Sequence, residues 1–150
     1  MKLSTRGRYA LRMVLDLARH GDLKEPVSLA AVAERTAISR GYLEQLALNL
    51  RNARILHSVP GRHGGYLLAR PADKIALGEI IEASIGPISI VNCVEDPDSC
   101  VRSESCEARS LYEALNERIT DLLYSITVAD TLKPSWGKDS RRRGKRSAGR

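Results

Sequence analysis

The sequence predicts a mainly α-helical protein with one small β-hairpin, arranged as a winged helix-turn-helix followed by a long C-terminal helix. Three observations predict this fold class. Within residues 5–53, segments with the apolar periodicity of a helix each follow a serine that could cap them. A glycine-rich basic turn then separates two short β-prone runs at 55–69. Finally, one apolar stripe with helical spacing extends over 111–126. With 150 residues, 43% of them hydrophobic, the chain can form one modest domain plus an arm.

The first predicted helix covers residues 5–19, with Ser4 or Thr5 as its N-cap, and ends at the Gly21-Asp22 pair. Its apolar positions recur at three- and four-residue steps and are Tyr9, Leu11, Val14, Leu15 and Ala18.

The second and third predicted helices form a tightly joined pair. Ser28 can cap a helix that runs to about Thr36, and Ser39 can cap the next, over 40–53. The third helix has a predicted buried stripe of Leu43, Leu46, Ala47 and Leu50. A short connection followed by a helix with polar residues at its start is typical of a helix-turn-helix.

A predicted β-hairpin, the wing, follows at residues 55–69. Residues 55–59 and 66–69 are the strands, and the turn between them has the sequence PGRHGG. A phosphate-binding nucleotide loop is excluded, because its lysine and Ser/Thr are missing and the glycines precede a strand rather than a helix.

Polar side chains at the start of the third helix are the groups that a DNA major groove would meet. We expect base contacts from Ser39, Arg40, Tyr42, Glu44 and Gln45. Gln45 can pair with adenine and Glu44 can accept from cytosine, and each good pair contributes about 1–3 kcal/mol of discrimination.

Backbone or minor-groove contacts are expected from the residues around this helix. The wing and the end of the helix would supply Arg51, Arg62 and His63 with the backbone of Gly61 and Gly64. The first helix would supply Arg6, Arg8 and Tyr9. A single arginine is usually a solvated charge, so the prediction depends on their shared face.

Two more helices are predicted after the wing. The first covers 76–84 and is broken by Gly86-Pro87; the second is long, with its apolar positions at Leu111, Leu115, Ile119, Leu122 and Ile126. A stripe of this length without obvious cover favours packing against a second copy as a symmetric dimer, whose two winged helices would meet successive major grooves of a palindromic site. The alternative is that this helix folds back on its own domain.

The three cysteines, Cys93, Cys100 and Cys106, share one polar segment with six and then five residues between them. Cysteines used as core hydrophobes would be scattered among apolar neighbours, so this clustering favours a metal or cluster site. The odd count and the absence of an apolar signal segment disfavour disulfides. Iron–sulfur clusters accept looser spacings and a non-cysteine fourth ligand. Structural zinc, which usually takes four closely paired ligands, and a thiol-only redox sensor remain alternatives.

Charge divides the chain into three segments. Residues 1–72 contain 12 basic and 5 acidic side chains (+7), residues 73–132 contain 4 and 12 (−8), and residues 133–150 contain 8 and 1 (+7). The basic first part suits double-stranded DNA and the acidic middle does not. We therefore expect a DNA-binding winged helix at 1–75, the cysteine loop and dimerisation helix at 76–132, and a disordered basic tail at 133–150 that either solubilises the protein or binds DNA nonspecifically.

The sequence disfavours an enzyme and a membrane protein. It contains no evident acid–base pair, nucleophile–base arrangement or nucleotide loop. It also has no apolar stretch of about 20 residues and no visible targeting segment, so a cytoplasmic protein is expected.

Five motifs in order resemble the Rrf2 family of bacterial transcription regulators. They are MKLSTRGRYALRMVLDLA, ISRGYLEQL, PGRHGGYLLAR, IALGEIIEA and the clustered cysteines, which together extend over residues 1 to about 132. The resemblance implies a homodimeric regulator that binds palindromic promoter DNA and controls genes of iron–sulfur cluster or iron homeostasis. It also implies an iron–sulfur cluster, two-iron or four-iron, held by Cys93, Cys100 and Cys106 beside the dimerisation helix.

The resemblance fails at the fourth ligand. Relatives place a histidine three residues after the third cysteine, or an aspartate near the start of the first helix, and this chain has Arg109 and Arg8 there. Arginine stays protonated and is a poor ligand for iron. The remaining candidates are Glu107, Asp98, Glu104, a small thiol or water, and an open iron site predicts a cluster that is easily lost.

Overall fold

The computed structural model describes residues 3–21, 23 and 25–136; the predicted tail from residue 137 onward lies outside these residues, as does Asp22. The first half consists of helices α1 (Thr5–His20), α2 (Leu29–Thr36) and α3 (Arg40–Asn52), then strands β1 (Leu56–Val59) and β2 (Gly65–Leu68). The second half consists of α4 (Leu77–Ile85), α5 (Asn92–Glu95), α6 (Arg109–Ser125) and α7 (Val128–Leu132). Short 3-10 turns lie at Ala72–Lys74, Pro97–Ser99 and Ser103–Ser105. The mainly helical fold with a small hairpin is confirmed.

Serine caps set the starts of the first three helices. The hydroxyl oxygens of Ser4, Ser28 and Ser39 accept hydrogen bonds from the first-turn amides at 3.1, 3.2 and 3.4 Å. Such a cap satisfies an amide that the helix itself leaves free, and its removal typically costs about 0.5–2 kcal/mol. The predicted caps at all three positions are confirmed.

The core lies between α1, α3 and α4. The predicted stripe of α3 is confirmed, since Leu43, Leu46, Ala47 and Leu50 are all fully buried. The predicted stripe of α1 is displaced. Its buried face consists of Ala10, Met13, Val14 and Leu17, whereas Tyr9, Leu11, Leu15 and Ala18 border the core and are only partly buried. Because α1 packs against both α4 and α2, its apolar arc is wide, and helical periodicity alone does not locate the centre of that arc.

The wing is fastened to the start of α2. Strands β1 and β2 pair antiparallel, with Leu56 opposite Leu68 and Val59 opposite Gly65. Val27 adds a third strand position: it exchanges two backbone hydrogen bonds with Tyr66, at 2.9 and 3.0 Å. The hairpin therefore has a fixed position relative to the helix-turn-helix.

The chain leaves the core before α4 and returns to it after α6. Ala76 and Thr127 form an antiparallel bridge, in which the Leu77 amide donates to Ile126 at 2.9 Å and the Val128 amide donates to Ile75 at 3.0 Å. Val128, at the start of the unpredicted helix α7, is fully buried in the same core as α1 and α3. The predicted boundary at residue 75 stays a prediction.

Helix α6 confirms the predicted long helix, and none of its 17 residues is buried. Leu111, Leu115 and Leu122 on it are 58%, 42% and 59% exposed. The helix touches α4 and α5, but most of its apolar stripe faces solvent in the single chain.

Candidate DNA-binding face and cysteine segment

The start of α3 presents polar side chains to solvent, as the sequence predicted. Ser39, Arg40, Glu44 and Gln45 are exposed and Tyr42 is half-buried. Arg40 and Glu44 form an ion pair one helical turn apart, with 3.0 Å between Nε and Oε1, and both side chains remain more than half exposed. An exposed pair of this kind contributes about 0.3–0.5 kcal/mol, so Arg40 can leave it for a base or a phosphate and Glu44 can leave it for a base amino group.

A cleft of about 430 Å³ separates α3 from the wing. Its walls come from the start of α2, from α3 and from the hairpin, and its lining residues are Ser28, Leu29, Arg40, Glu44, Ser58, Val59, Pro60, Gly61, Gly64, Gly65 and Tyr66. The fold thereby brings four predicted DNA contacts together, two from α3 and two from the wing turn. Ser28 was not predicted here, because its place in the cleft depends on the bridge between Val27 and Tyr66.

The tip of the wing is shaped by glycine. Gly61 has a φ of +109°, a conformation that side chains rarely adopt. A Cβ at Gly64 would collide with the backbone carbonyl of Val59, so only glycine permits the tight return of the chain. The turn leaves Arg62 and His63 exposed, as a contact to DNA flanking the cleft would need.

Two tyrosines join α1 to α3 beside this face. The rings of Tyr9 and Tyr42 pack edge to face, with 5.7 Å between centroids and 84° between planes. The Arg12 guanidinium lies 5.9 Å from the Tyr9 ring centroid and was missed by the sequence reasoning. The Tyr9 ring therefore restricts the orientation of the Tyr42 ring at the start of α3.

Three of the remaining predicted DNA contacts, Arg6, Arg8 and Arg51, do not line the cleft. Arg8 is exposed and donates to the Thr5 hydroxyl at 3.0 Å. Arg6 is half-buried, and within the described chain its Nε has no hydrogen-bond partner. Arg51 is exposed near the end of α3.

The three cysteines lie in a segment of short elements between α4 and α6. Cys93 is in α5, Cys100 follows the turn at Pro97–Ser99, and Cys106 follows the turn at Ser103–Ser105. All three are free thiols; Cys93 and Cys106 are half-buried and Cys100 is exposed. Among residues 3–21, 23 and 25–136, no three His, Cys, Asp or Glu side chains lie close enough to share a metal ion. A shared ion would therefore require a rearrangement of the segment that brings the three thiols together.

Helix α6 is attached at two points that sequence reasoning missed. The Asn116 side chain donates to the carbonyl of Ile88 at 3.1 Å and accepts from the amide of Ile90 at 3.0 Å, which holds the segment before Cys93 against the helix. Near its C-terminal end, the Tyr124 hydroxyl donates to the Glu82 carboxylate of α4 at 2.5 Å. This hydrogen bond raises the pKa of Tyr124 to about 12.

Gly78 allows α6 and α4 to approach closely at this second point. A Cβ there would lie 2.5 Å from Cδ2 of the Tyr124 ring. Helix α4 in turn packs along α1. Contacts therefore continue from the cysteine segment through α6 and α4 to the helix-turn-helix.

These features define a winged-helix protein of the DNA-binding class, with a cysteine-containing segment joined to its long helix. A family model described as "Iron-dependent Transcriptional regulator" matches residues 3–134. The chain belongs to the Rrf2 family of transcriptional regulators.

Known relatives agree with this assignment. The chain is 42% identical over 130 residues to the transcriptional regulator IscR of Erwinia tasmaniensis, covering 87% of this chain and 78% of the relative. Among solved structures, CymR, the global cysteine regulator of B. subtilis, superposes with a TM-score of 0.71 at 37% identity, covering 87% of this chain and 95% of CymR. IscR of T. potens superposes with a TM-score of 0.69 at 37% identity, covering 90% of this chain and 88% of that protein.

Within the described ranges, no helix is both long enough and apolar enough to cross a bilayer.

Proposed function

We propose that this regulator binds palindromic promoter DNA as a cytoplasmic homodimer and that an iron–sulfur cluster held by Cys93, Cys100 and Cys106 sets its DNA affinity. The observation that carries the proposal is the union of two parts in one chain: a capped recognition helix beside a glycine-built wing, and three free thiols next to a long unburied helix. The match to a family described as iron-dependent transcriptional regulators supports genes of iron–sulfur cluster or iron homeostasis as the targets.

DNA reading is assigned to the face around the cleft. The start of α3 enters the major groove, where Gln45 and Glu44 meet base edges, while Arg62 and His63 on the wing meet the flanking backbone. Gln45→Ala should cost about 1–3 kcal/mol of binding free energy and relax preference at one base pair. Arg62→Gln should weaken binding to all sequences and reduce the slope of log affinity against log salt by about 1.

The dimer is supported by the exposed stripe of α6. Leu111, Leu115 and Leu122 would be covered by the same residues of a second copy, as a twofold interface requires. Leu122→Glu should shift the sedimentation coefficient from dimer to monomer. Leu48→Glu on α3, which changes a leucine of similar exposure (49%), is the matched control and should leave the dimer intact. A Leu122→Glu protein that still sediments as a dimer would contradict the assignment.

The donor set fits an iron–sulfur cluster. Thiolates are the soft ligands such clusters require, and this segment offers three of them with no disulfide. When bound, the cluster would supply a redox-active and oxidant-labile group whose state can be sensed. The chain itself would have to bring the three thiols together, and Asn116 would transmit that rearrangement from the segment to α6.

Coupling to DNA would then follow the contacts of α6 with α4. A shift of α6 reaches α4 through Tyr124 and Glu82, and α4 lies along α1. In a dimer, both the cysteine segment and the bound DNA would then influence the tilt or spacing of the two recognition helices, which would couple the two sites.

The decisive experiment begins with anaerobic purification. Iron and sulfide analysis with the visible spectrum should reveal a cluster, and Cys100→Ser should abolish it while far-UV circular dichroism stays unchanged. Duplex DNA selected from a random pool is then titrated with holo and apo protein by gel shift. Equal affinity in both states would remove the switch, and an intact protein without iron or sulfide would remove the cluster.

A thiol-only sensor is the second candidate, favoured by the exposure of Cys100. In that case the iron-free protein should change its DNA affinity on treatment with an oxidant or nitric oxide, and the change should disappear in Cys100→Ser.

A further inference from the structure

Arg109, the first residue of α6, folds back over the cysteine segment. Its Nη1 donates to the carbonyl of Ser103 at 3.4 Å, and its Nε donates to Oε1 of Glu113 at 2.8 Å. Its backbone amide also donates to the carbonyl of Cys106 at 3.1 Å. The side chain is 24% exposed, so it is packed against the segment rather than extended into solvent.

The guanidinium lies within electrostatic range of two thiols. The pKa of Arg109 is raised, mainly by the hydrogen bond to Glu113 and further by the negative charge that Glu113, Cys93 and Cys106 carry when ionised. The hydrogen bonds to the carbonyls of Ser103 and Cys106 thus place the Arg109 cation against the stretch that ends the cysteine segment.

The segment needs such a cation. Between Cys93 and Cys106 the chain contains four acidic residues, Glu95, Asp96, Asp98 and Glu104, against the single base Arg102. Three ionised thiols would add to this negative charge. Ser103 holds Arg109 at the edge of the segment. Because its guanidinium is always protonated, Arg109 can offset this negative charge but cannot act as a metal ligand.

We propose that Arg109 is a positioning residue of the thiolate site, a fixed positive charge that stabilises the more negative, reduced state of the bound cluster. The inference depends on the proposed cluster. In reduction, one electron enters from the chemical reductant, no bond of the protein forms or breaks, and the charge of the site falls by one. A nearby positive charge lowers the free energy of that product and so raises the midpoint potential.

The test is a redox titration of the reconstituted cluster, followed by its visible or electron paramagnetic resonance signal. Arg109→Gln removes the charge and should shift the one-electron equilibrium at least tenfold toward the oxidised state, about 59 mV. Arg109→Lys keeps the charge and should restore most of the potential. Arg118→Gln is the matched control, since Arg118 is exposed on the same helix and, in the described part of the chain, forms no ion pair; its potential should equal that of the wild type.

Glu113→Gln tests whether a change of charge at this end of α6 reaches the cluster, and it remains informative if Arg109→Gln does not fold. Glu113 is 50% exposed and holds Arg109 by its Nε. The variant removes one negative charge beside the Arg109 guanidinium, so the potential should rise if Arg109 stays in place and should fall if the released cation moves away from the segment. A potential equal to that of the wild type would overturn the inference.

The outcomes distinguish this inference from the proposed function. A wild-type protein that binds a cluster, with Arg109→Gln matching Arg118→Gln in potential, overturns only the role of Arg109. A wild-type protein that binds no cluster overturns the proposed function and the inference with it.

Discussion

Substitution of Gly65 by alanine should detach the wing from the helix-turn-helix. A Cβ at this position would collide with the carbonyl oxygen of Val27 and would lie 2.5 Å from the Val27 carbonyl carbon and 2.9 Å from the Ser28 nitrogen. All three are backbone atoms, so no side chain can rotate away to make room.

The magnitude follows from what the backbone must give up. Separating the strands breaks the two hydrogen bonds between Val27 and Tyr66, worth about 0.5–1.5 kcal/mol each. Keeping them instead retains an overpacked contact that costs about 1–3 kcal/mol. Either way, we expect the free energy of unfolding to fall by about 1–3 kcal/mol, and DNA affinity to fall because Arg62 and His63 lose their fixed position.

Urea unfolding at one protein concentration measures the first effect, and hydrogen exchange of the Val27 and Tyr66 amides locates it. Gly41→Ala is the matched control, because no atom lies within 4 Å of a Cβ there and the residue is helical. It should leave stability unchanged or raise it by up to about 1 kcal/mol. If Gly65→Ala unfolds at the wild-type urea concentration with both amides still protected, the reasoning about the close backbone approach is wrong.

Three further changes test other contacts. Asn116→Ala removes two hydrogen bonds to residues 88–90 and should lower the free energy of unfolding by about 1–3 kcal/mol, with faster exchange of the Ile90 amide; unchanged exchange would contradict the role assigned to Asn116. Tyr124→Phe keeps the ring against Gly78 but loses the bond to Glu82, so stability should fall by about 1 kcal/mol and the holo-to-apo ratio of DNA affinity should shrink; an unchanged ratio would exclude this contact from the coupling. Hydrogen bonds from Lys133 and Thr127 lower the pKa of Asp130 to about 2, so its contribution to stability is present above an unfolded pKa of about 3.9 and is lost as the pH falls toward 2. Asp130→Asn should therefore flatten this part of the profile of urea midpoint against pH, measured between pH 2 and 6. A profile parallel to that of the wild type would refute this role of Asp130.

The helix-turn-helix and the wing could be predicted because they depend on interactions between residues that are close in sequence. The serine caps and the α3 stripe depend on residues within one or two helical turns of each other, and their predictions are confirmed. The turn of the wing was predictable because its glycines can adopt backbone conformations that other residues avoid and Pro60 has a fixed φ.

Contacts between residues far apart in sequence could not be predicted from local sequence patterns. Asn116 bonds to backbone groups 26 and 28 residues away, and any residue type at those positions would offer the same groups. Tyr124 and Glu82 are 42 residues apart, and nothing in either local pattern indicates the other. Helix α7 has five residues, too few for periodicity to reveal it, and it is defined by the burial of Val128.

The candidate site likewise has a part that local sequence predicts and a part that depends on long-range contacts. The DNA contacts were predicted from the first helix, the third helix and the turn of the wing, and the structure places four of these residues, from the third helix and the turn, around a single cleft. Arg109 was predicted only as a missing ligand. Its contact with Ser103 depends on how the segment turns before α6, which the order of residues does not specify.

The bridge between Ala76 and Thr127 makes the intervening chain an insert whose entry and exit adjoin each other. Helix α4 belongs to the core through Leu77 and Ile80, so the part of the insert that can change in length or chemistry without disturbing the core begins after it, at residue 86. An arginine in place of a ligand is the kind of change that such an architecture tolerates. A chimera that exchanges residues 86–126 with the equivalent segment of a regulator answering another signal should keep its DNA sequence preference and acquire the donor's response.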